Sequence, residues 1–296
     1  MNISILVPNH SDLRMINMVE SIDCCNSEDL KIELLIILNR PTKEVLKQSQ
    51  YILDNYSEKF SVKIINEKIC NLGYLYNRGV KEATYDNLLF IDSDVICEKG
   101  SIKRMIESMI ENNADLVKAR LVYKAKSSFV VQARRINTSY TKEPYIPVVL
   151  FSKKLFKKIS GDYVFAVDTV WCSDAEFAYR VLNSDAQIVY EDALFYHDNI
   201  GVMKDLKDAV LYGCGKGIRI KRTQEEWRPC REILQNHNRA KREKIKLVWR
   251  LYSDIWIVLQ QIACGIQVHL PILFKETLPF EKSMKIEEIK YEDSEI

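Results

Sequence analysis

The tripeptide Asp92-Ser93-Asp94 follows the apolar run Asn87-Leu-Leu-Phe-Ile91. In an extended chain residues two apart project to the same side, so the two carboxylates converge at the end of a buried strand. Like charges placed together repel. A hard divalent cation, Mg²⁺ or Mn²⁺, with oxygen ligands relieves that repulsion and bridges to a diphosphate. The other use of the pair is to cap a helix starting near Gly100. A second acidic pair, Asp174 and Glu176, opens a helical segment, Asp174–Leu182, where the helix N-terminus favours a carboxylate. Asp174 suits a general base there, with an N-cap as its alternative. Glu176 suits a second catalytic carboxylate, and its spacing to Arg180 also suits an ion pair. His197 ends an apolar run, where an imidazole serves either as a metal ligand or as a packed, hydrogen-bonded side chain. The run Gly213-Cys-Gly215-Lys-Gly217 follows no strand and lacks the Lys-Ser/Thr ending of a phosphate loop. It is expected to be a flexible hinge or lid, with Lys216, Arg219 and Lys221 lending charge, or else a basic helix surface.

Elements must bring these groups together. Ile3–Val7, Ile32–Leu38, Val62–Ile65 and Asn87–Ile91 are short runs rich in Ile, Leu and Val, as buried strands of a parallel sheet are. Asp12–Ile22, Thr42–Tyr56 and Leu72–Ala83 lie between them with the length and period of crossover helices. The resulting β-α-β-α-β-α-β order predicts an α/β fold with a mostly parallel sheet flanked by helices. In such sheets ligands sit beyond the carboxyl ends of the strands, which selects Pro8-Asn9-His10, Asn39-Arg40-Pro41 and Asp92-Ser93-Asp94.

Taken in order, Ile3-Ser-Ile-Leu-Val-Pro8, Asn71-Leu-Gly73, Asn77-Arg-Gly79, Ala83 and Leu89-Phe-Ile-Asp92-Ser-Asp94 resemble the family 2 glycosyltransferases of the GT-A fold. Ser173-Asp174-Ala-Glu176-Phe-Ala-Tyr-Arg180, Ala186-Gln-Ile-Val-Tyr190 and Phe195-Tyr-His197 are similar to that family's acceptor-side segment. The resemblance spans residues 2 to 200. It implies an inverting, metal-dependent transferase that moves a sugar from a nucleotide-sugar, a UDP-sugar in the first instance, to a glycan, lipid-linked or peptide acceptor. It implies that Asp92, Asp94 and His197 hold Mn²⁺ or Mg²⁺. Asp174 is then the base, with Glu176 and Asp168 behind it. The donor would be met by Pro8, Asn9, Asn39, Arg40, Asn71, Gly73, Asn77, Arg78, Asp92 and Ser93. Two departures stand out. Where many members carry an Asp for the nucleotide base, this chain has Asn39-Arg40-Pro41. The segment Gly73–Asn77 is about two residues shorter than the common pattern, which leaves open whether Asn71, Asn77 or Arg78 faces the donor.

Composition excludes other classes. Lys and Arg total 43 against 41 Asp and Glu, a net +2, which lacks the basic excess of a dedicated nucleic-acid binder. Eight scattered Cys without a Cys-x-x-Cys pair read as reduced thiols, and the strand-like opening Met-Asn-Ile-Ser-Ile-Leu-Val lacks a signal peptide, so the expectation is cytoplasmic. Residues 1–217 are expected to form the catalytic domain, with a nucleotide-sugar half over 1–98 and an acceptor half over 99–217. A helical region over 218–280 and an acidic tail over 281–296 would follow. Aromatic residues Tyr123, Tyr140, Tyr145 and Trp171 suit sugar stacking or the core. In the stretch Lys244–Phe274, Val248, Leu251, Tyr252, Ile255, Leu259 and Ile262 recur at helical spacing. One amphipathic helix is expected, packed on the catalytic domain or paired with another subunit, with contact at the inner face of a membrane as the second choice. A non-catalytic binding subunit and a nucleotidyltransferase are the competing functions.

Overall fold

The computed structural model describes residues 1–25, 29–125, 128–135, 144–169, 172–198, 200–270 and 278–292. Strands β1 (Asn2–Asn9), β2 (Lys31–Asn39), β3 (Ser61–Glu67) and β4 (Asn87–Phe90) alternate with helices α1 (Met15–Asp23), α2 (Lys43–Tyr56) and α3 (Leu72–Glu82). Each fulfils an expected element. Side chains start two of these helices: Thr42 accepts from Val45 N and Asn71 accepts from Tyr74 N, satisfying amides that a first helical turn leaves free. The first helix starts later than expected, at Met15. Asn9 Oδ1 accepts from Asp12 N and Asp12 Oδ1 from Arg14 N, holding residues 9–14 in side-chain-closed turns instead.

Beyond β4 come β5 (Val95–Cys97), α4 (Ser101–Glu111), β6 (Leu116–Tyr123), α5 (Phe129–Arg134), β7 (Val149–Ser152), α6 (Ser173–Leu182) and β8 (Ile188–His197). The eight strands form one sheet in the order β3-β2-β1-β4-β7-β6-β8-β5. β1 pairs parallel with both β2 and β4, while β7 and β5 run antiparallel to their neighbours. The chain order therefore reverses at β1 and β4, where a doubly wound sheet opens a crevice for a ligand.

Helices cover both faces. Ile3, Ile5 and Val7 of β1 join α1, α2 and α4 residues in one core, whereas Leu6 joins Phe90, Phe151, Phe156, Phe165 and Phe177 in the other. This is the two-residue period of a strand buried on both sides. Burial of each such Phe contributes roughly 1.5–3 kcal/mol.

Three further helices follow: α7 (Val202–Thr223), α8 (Pro229–Arg242) and α9 (Leu247–His269). The glycine run expected as a hinge lies inside α7, and the reason is space. A Cβ at Gly213 would stand 2.2 Å from Gln260 O of α9, and one at Gly217 2.8 Å from Cys264 O. One at Gly215, on the opposite side, would stand 2.5 Å from Thr169 O and 2.6 Å from Cys172. The glycines let α7 be gripped on two sides. No helix among the described residues is long and apolar enough to cross a membrane. The expected helix over Lys244–Phe274 is found as α9, with residues 271–277 outside the described part. Its apolar stripe packs only in part: Tyr252 is buried and Leu259 half-buried, but Val248, Leu251, Ile255 and Ile262 are exposed, and Trp256, Ala263, Cys264 and Gln267 are turned inward in their place.

The segment after residue 277 returns to the sheet. Met284 and Ile289 enter the Phe-rich core, and Val164 N donates to Met284 O at 2.8 Å. The fully buried Lys153 donates to Ala83 O and Lys290 O.

Candidate active site

Asp92 and Asp94 converge through a turn, not through the extended geometry their spacing suggests. β4 ends at Phe90, and Val95 N donates back to Asp92 O at 3.1 Å. β5 then runs antiparallel to β8 with Val95 opposite His197, which delivers the imidazole to the carboxylates. Ligand atoms of Asp92, Asp94 and His197 lie within 4.8 Å of one another, all three side chains being half-buried. His197 Nε2 stands 3.3 Å from Asp94 Oδ1. Its Nδ1 stands 2.6 Å from the carbonyl oxygen of Asp198. A carbonyl only accepts, so Nδ1 carries a proton, and Nε2 is the nitrogen turned toward Asp94. Tyr123 packs its ring against the imidazole, with centroids 4.8 Å apart.

This cluster is electrostatically under-compensated. Burial, and then the charge of Asp94, push the Asp92 carboxyl up to about 6 against the pull of His197, Lys118 and Lys204. Arg14 donates to Asp94 Oδ2 at 3.0 Å and to Asp198 at 2.8 Å, and pairs with Asp12. Two carboxylates and an imidazole nitrogen are an oxygen-rich donor set suited to Mn²⁺ or Mg²⁺. A cation held there would favour the ionised form of Asp92.

Asp174 stands in the first turn of α6, partly exposed, with its Oδ1 accepting from Ala175 N at 2.8 Å. Burial raises its carboxyl to about 7, the charge of Asp92 adds to the rise, and the Ala175 amide and Lys118 oppose it. A carboxylate poised near neutrality is what proton abstraction from a hydroxyl asks for. Lys118 of β6 is a site residue that sequence reasoning missed. Its Nζ donates to Tyr145 O and Pro147 O at 2.6 and 2.7 Å, burial lowers its ammonium to about 8, and Asp174 and Asp92 hold it up. A lysine inside Leu116-Val-Lys118-Ala was the available signal. Arg14 gave none, since it falls in an expected helix.

Glu176, two residues from Asp174, is fully buried. Tyr163 Oη donates to it at 2.6 Å, and Arg180 pairs with it at 3.1 Å while also donating to Ser160, Tyr163 and Val164 carbonyls. Asp168 pairs with Arg222. The other candidates divide. Asn9 organises the turn after β1, donating to Asp12 O at 2.9 Å, with Pro8 half-buried beside it. Asn39 donates to Cys70 Sγ, and its buried Oδ1 has no partner among the described residues. Arg40, with φ of 45°, donates to Lys68 O. Ser93 is buried in the Asp92 turn. Asn71 donates to Val167 O, and Asn77 exchanges two hydrogen bonds with Phe165 backbone. A Cβ on Gly73 would meet Ala166 O at 2.4 Å. Those three therefore clamp the segment that leads to Asp174. Arg78 pairs with Glu67 and Glu82. Of the aromatic residues singled out, Tyr140 and Trp171 lie outside the described residues.

The glycosyl transferase family 2 profile matches residues 4–163, more than half of the chain. The chain belongs to glycosyl transferase family 2. No curated protein matches it in sequence. Its fold is shared with the crystal structure of S. aureus TarS 1-349 in complex with UDP-GlcNAc, at 15% identity and a TM-score of 0.55, covering 92% of this chain and 84% of that one. It covers 40% of the longer TarS crystal structure, at 19% identity and a TM-score of 0.53. It is also similar to the mannosyltransferase PcManGT of Pyrobaculum calidifontis in complex with GDP-Man and Mn²⁺, at 10% identity and a TM-score of 0.65, with 90% and 87% covered. This family 2 chain is accordingly a glycosyltransferase with a GT-A-like fold.

Proposed function

We propose that this family 2 enzyme transfers a sugar from a nucleotide-sugar, a UDP-sugar in the first instance, with inversion, onto a hydroxyl of a glycan, lipid-linked or peptide acceptor. The observation that carries the proposal is the pairing of an under-compensated acidic cluster, Asp92, Asp94 and His197, with a separate carboxylate, Asp174, raised to about 7. In a single displacement the acceptor oxygen bonds to the anomeric carbon, whose bond to the diphosphate breaks, and the hydroxyl proton passes to Asp174. Asp92, Asp94 and His197 would hold Mn²⁺ or Mg²⁺, which supplies Lewis-acid stabilisation of the departing diphosphate. Lys118 keeps Asp174 from protonating further, since loss of its positive charge would raise that carboxyl.

Asn39 supports a base-binding role. Its buried Oδ1 lacks a donor among the described residues, at the carboxyl end of β2 beside β1, and the imino N–H of a uracil or guanine would satisfy it. The relatives' ligands, UDP-GlcNAc and GDP-Man, are of these two kinds. Eight free thiols suit a reducing, cytoplasmic setting.

The test is a thermal-shift series with UDP- and GDP-sugars, each with Mn²⁺ or EDTA, on wild type and Asp94→Ala, since a ligand that binds only the folded state raises its stability. A nucleotide-specific shift, lost in EDTA and in the variant, supports the donor site. Well-folded protein that responds to none of them would overturn it.

A further inference from the structure

Helix α9 has an occupied half and a bare half. On the occupied side Trp256 Nε1 donates to Asp205 O of α7, and Gln261 bonds Glu232 of α8 and accepts from Trp227. On the other side Val248, Leu251, Ile255, Ile262 and Ile266 are 42–55% exposed. At 100° per residue they fall within one arc, a strip of roughly 27 Å along the axis without a charged side chain. Large apolar side chains gathered in a continuous strip on a surface mark a contact, whereas scattered ones need no partner.

Charge identifies the partner. Lys241, Arg242, Lys244 and Lys246 are exposed around the start of the strip. Lys241, Arg242 and Lys244 have no ion pair among the described residues, Lys246 lies over the Trp249 ring at 4.9 Å, and the one acid between them, Glu243, is taken by Arg135 and Arg239. A second copy of the chain is a poor occupant. Paired parallel, two strips would bring the two cationic clusters together; paired antiparallel, each cluster would meet the far end of α9, which carries no Asp or Glu over residues 261–270. A lipid surface with anionic headgroups satisfies both features at once, and the helix cannot cross the bilayer because its other half is committed to α7 and α8.

We propose that the bare half of α9 docks on an anionic lipid surface, its apolar strip entering the headgroup boundary while the four basic residues meet lipid phosphates. The docked face is tied to the transferase site. α7 is held against α9 at Gly213 and Gly217, and against Thr169 and Cys172 at Gly215, just ahead of Asp174. Membrane contact would thus hold the acceptor-side carboxylate at a fixed position relative to the lipid surface.

The experiment is flotation of the full chain with vesicles of phosphatidylcholine alone or mixed with phosphatidylglycerol, at low and high salt. Wild type is expected to float with the anionic vesicles and to bind roughly tenfold or more weakly to the neutral ones or at high salt. The exposed triple variant Leu251→Ser, Ile255→Ser, Ile262→Ser is expected to keep the wild-type circular dichroism spectrum and lose flotation. Lys244→Glu with Lys246→Glu is expected to lose the preference for anionic lipid. Folded wild type that stays unbound, or that binds both vesicles equally, overturns the proposal. So does a dimer in sedimentation velocity that the triple variant dissociates without any vesicle binding, which would assign the strip to a second copy.

Discussion

Asp174 and Glu176 sit two residues apart on α6 and live in opposite surroundings. Glu176 is sealed between Tyr163 and Arg180, whose remaining donors are spent on three carbonyls. Asp174 is half-buried, with one amide donor and with the charges of Lys118 and Asp92 acting on it in opposite directions. The first is a structural carboxylate whose charge is matched by its neighbours. The second, like Asp92, carries charge the protein itself does not match, as the proposed metal site and proposed base require. Incomplete compensation, rather than the presence of acidic residues, separates the proposed working region from the structural one.

The comparison breaks most clearly at the working end. Asp174→Asn is expected to lower turnover by about 10²–10⁴-fold while leaving donor binding and fold intact, measured as initial rate beside a melting curve. Asp92→Asn should abolish the Mn²⁺-dependent part of donor binding by calorimetry; unchanged metal dependence would remove Asp92 from the site. At the structural end Glu176→Ala should cost about 3–5 kcal/mol in a denaturant melt, because it leaves Arg180 buried without its partner. Any activity lost there should follow the folded fraction, and a folded but inactive variant would mean that Glu176 takes part in the chemistry.

A smaller effect comes from the helical grip. Gly213→Ala forces a methyl against Gln260 O and should cost about 1–3 kcal/mol, whereas Gly201→Ala, with nothing within 4 Å, should change stability by less than about 0.5 kcal/mol. If the two substitutions behave alike in thermal melts, close packing of α7 is not the reason for its glycines.

The finest prediction concerns pH. The folded Asp174 carboxyl lies at about 7 against an ordinary 3.8, so its contribution favours folding at low pH and is lost as pH rises through that window. Metal-free Asp174→Asn should therefore gain stability relative to wild type as pH rises from 3.8 toward 7. Wild-type turnover should fall as pH drops below about 7, as the base takes up a proton. A pair of melting curves whose difference stays flat across that range would argue against the raised carboxyl.

The donor half was legible because its signals are local. Buried strands read as apolar runs, Thr42 and Asn71 mark helix starts, and Asp92-Ser93-Asp94 follows its strand directly. The glycine run of α7 misled, since Gly213, Gly215 and Gly217 look the same whether a backbone must bend or a neighbour must come close. The apolar stripe of α9 misled for a related reason. Helical period shows that one face differs from the rest, but not which face the neighbouring helices will take.

By itself, then, the sequence determined the family, the α/β order, the acidic pair and the carboxylates of α6, all of which depend on residues close together in the chain. Only the tertiary structure decided the rest: that β5 pairs with β8 and brings His197 to Asp94, that Arg14 reaches Asp94 and the buried Lys118 acts on Asp92 and Asp174, and that Glu176 is sealed while Asp174 is not. The physical reason is that a carboxylate's charge state depends on burial and on which cations and donors come near it, and across a sheet those partners come from segments tens of residues away.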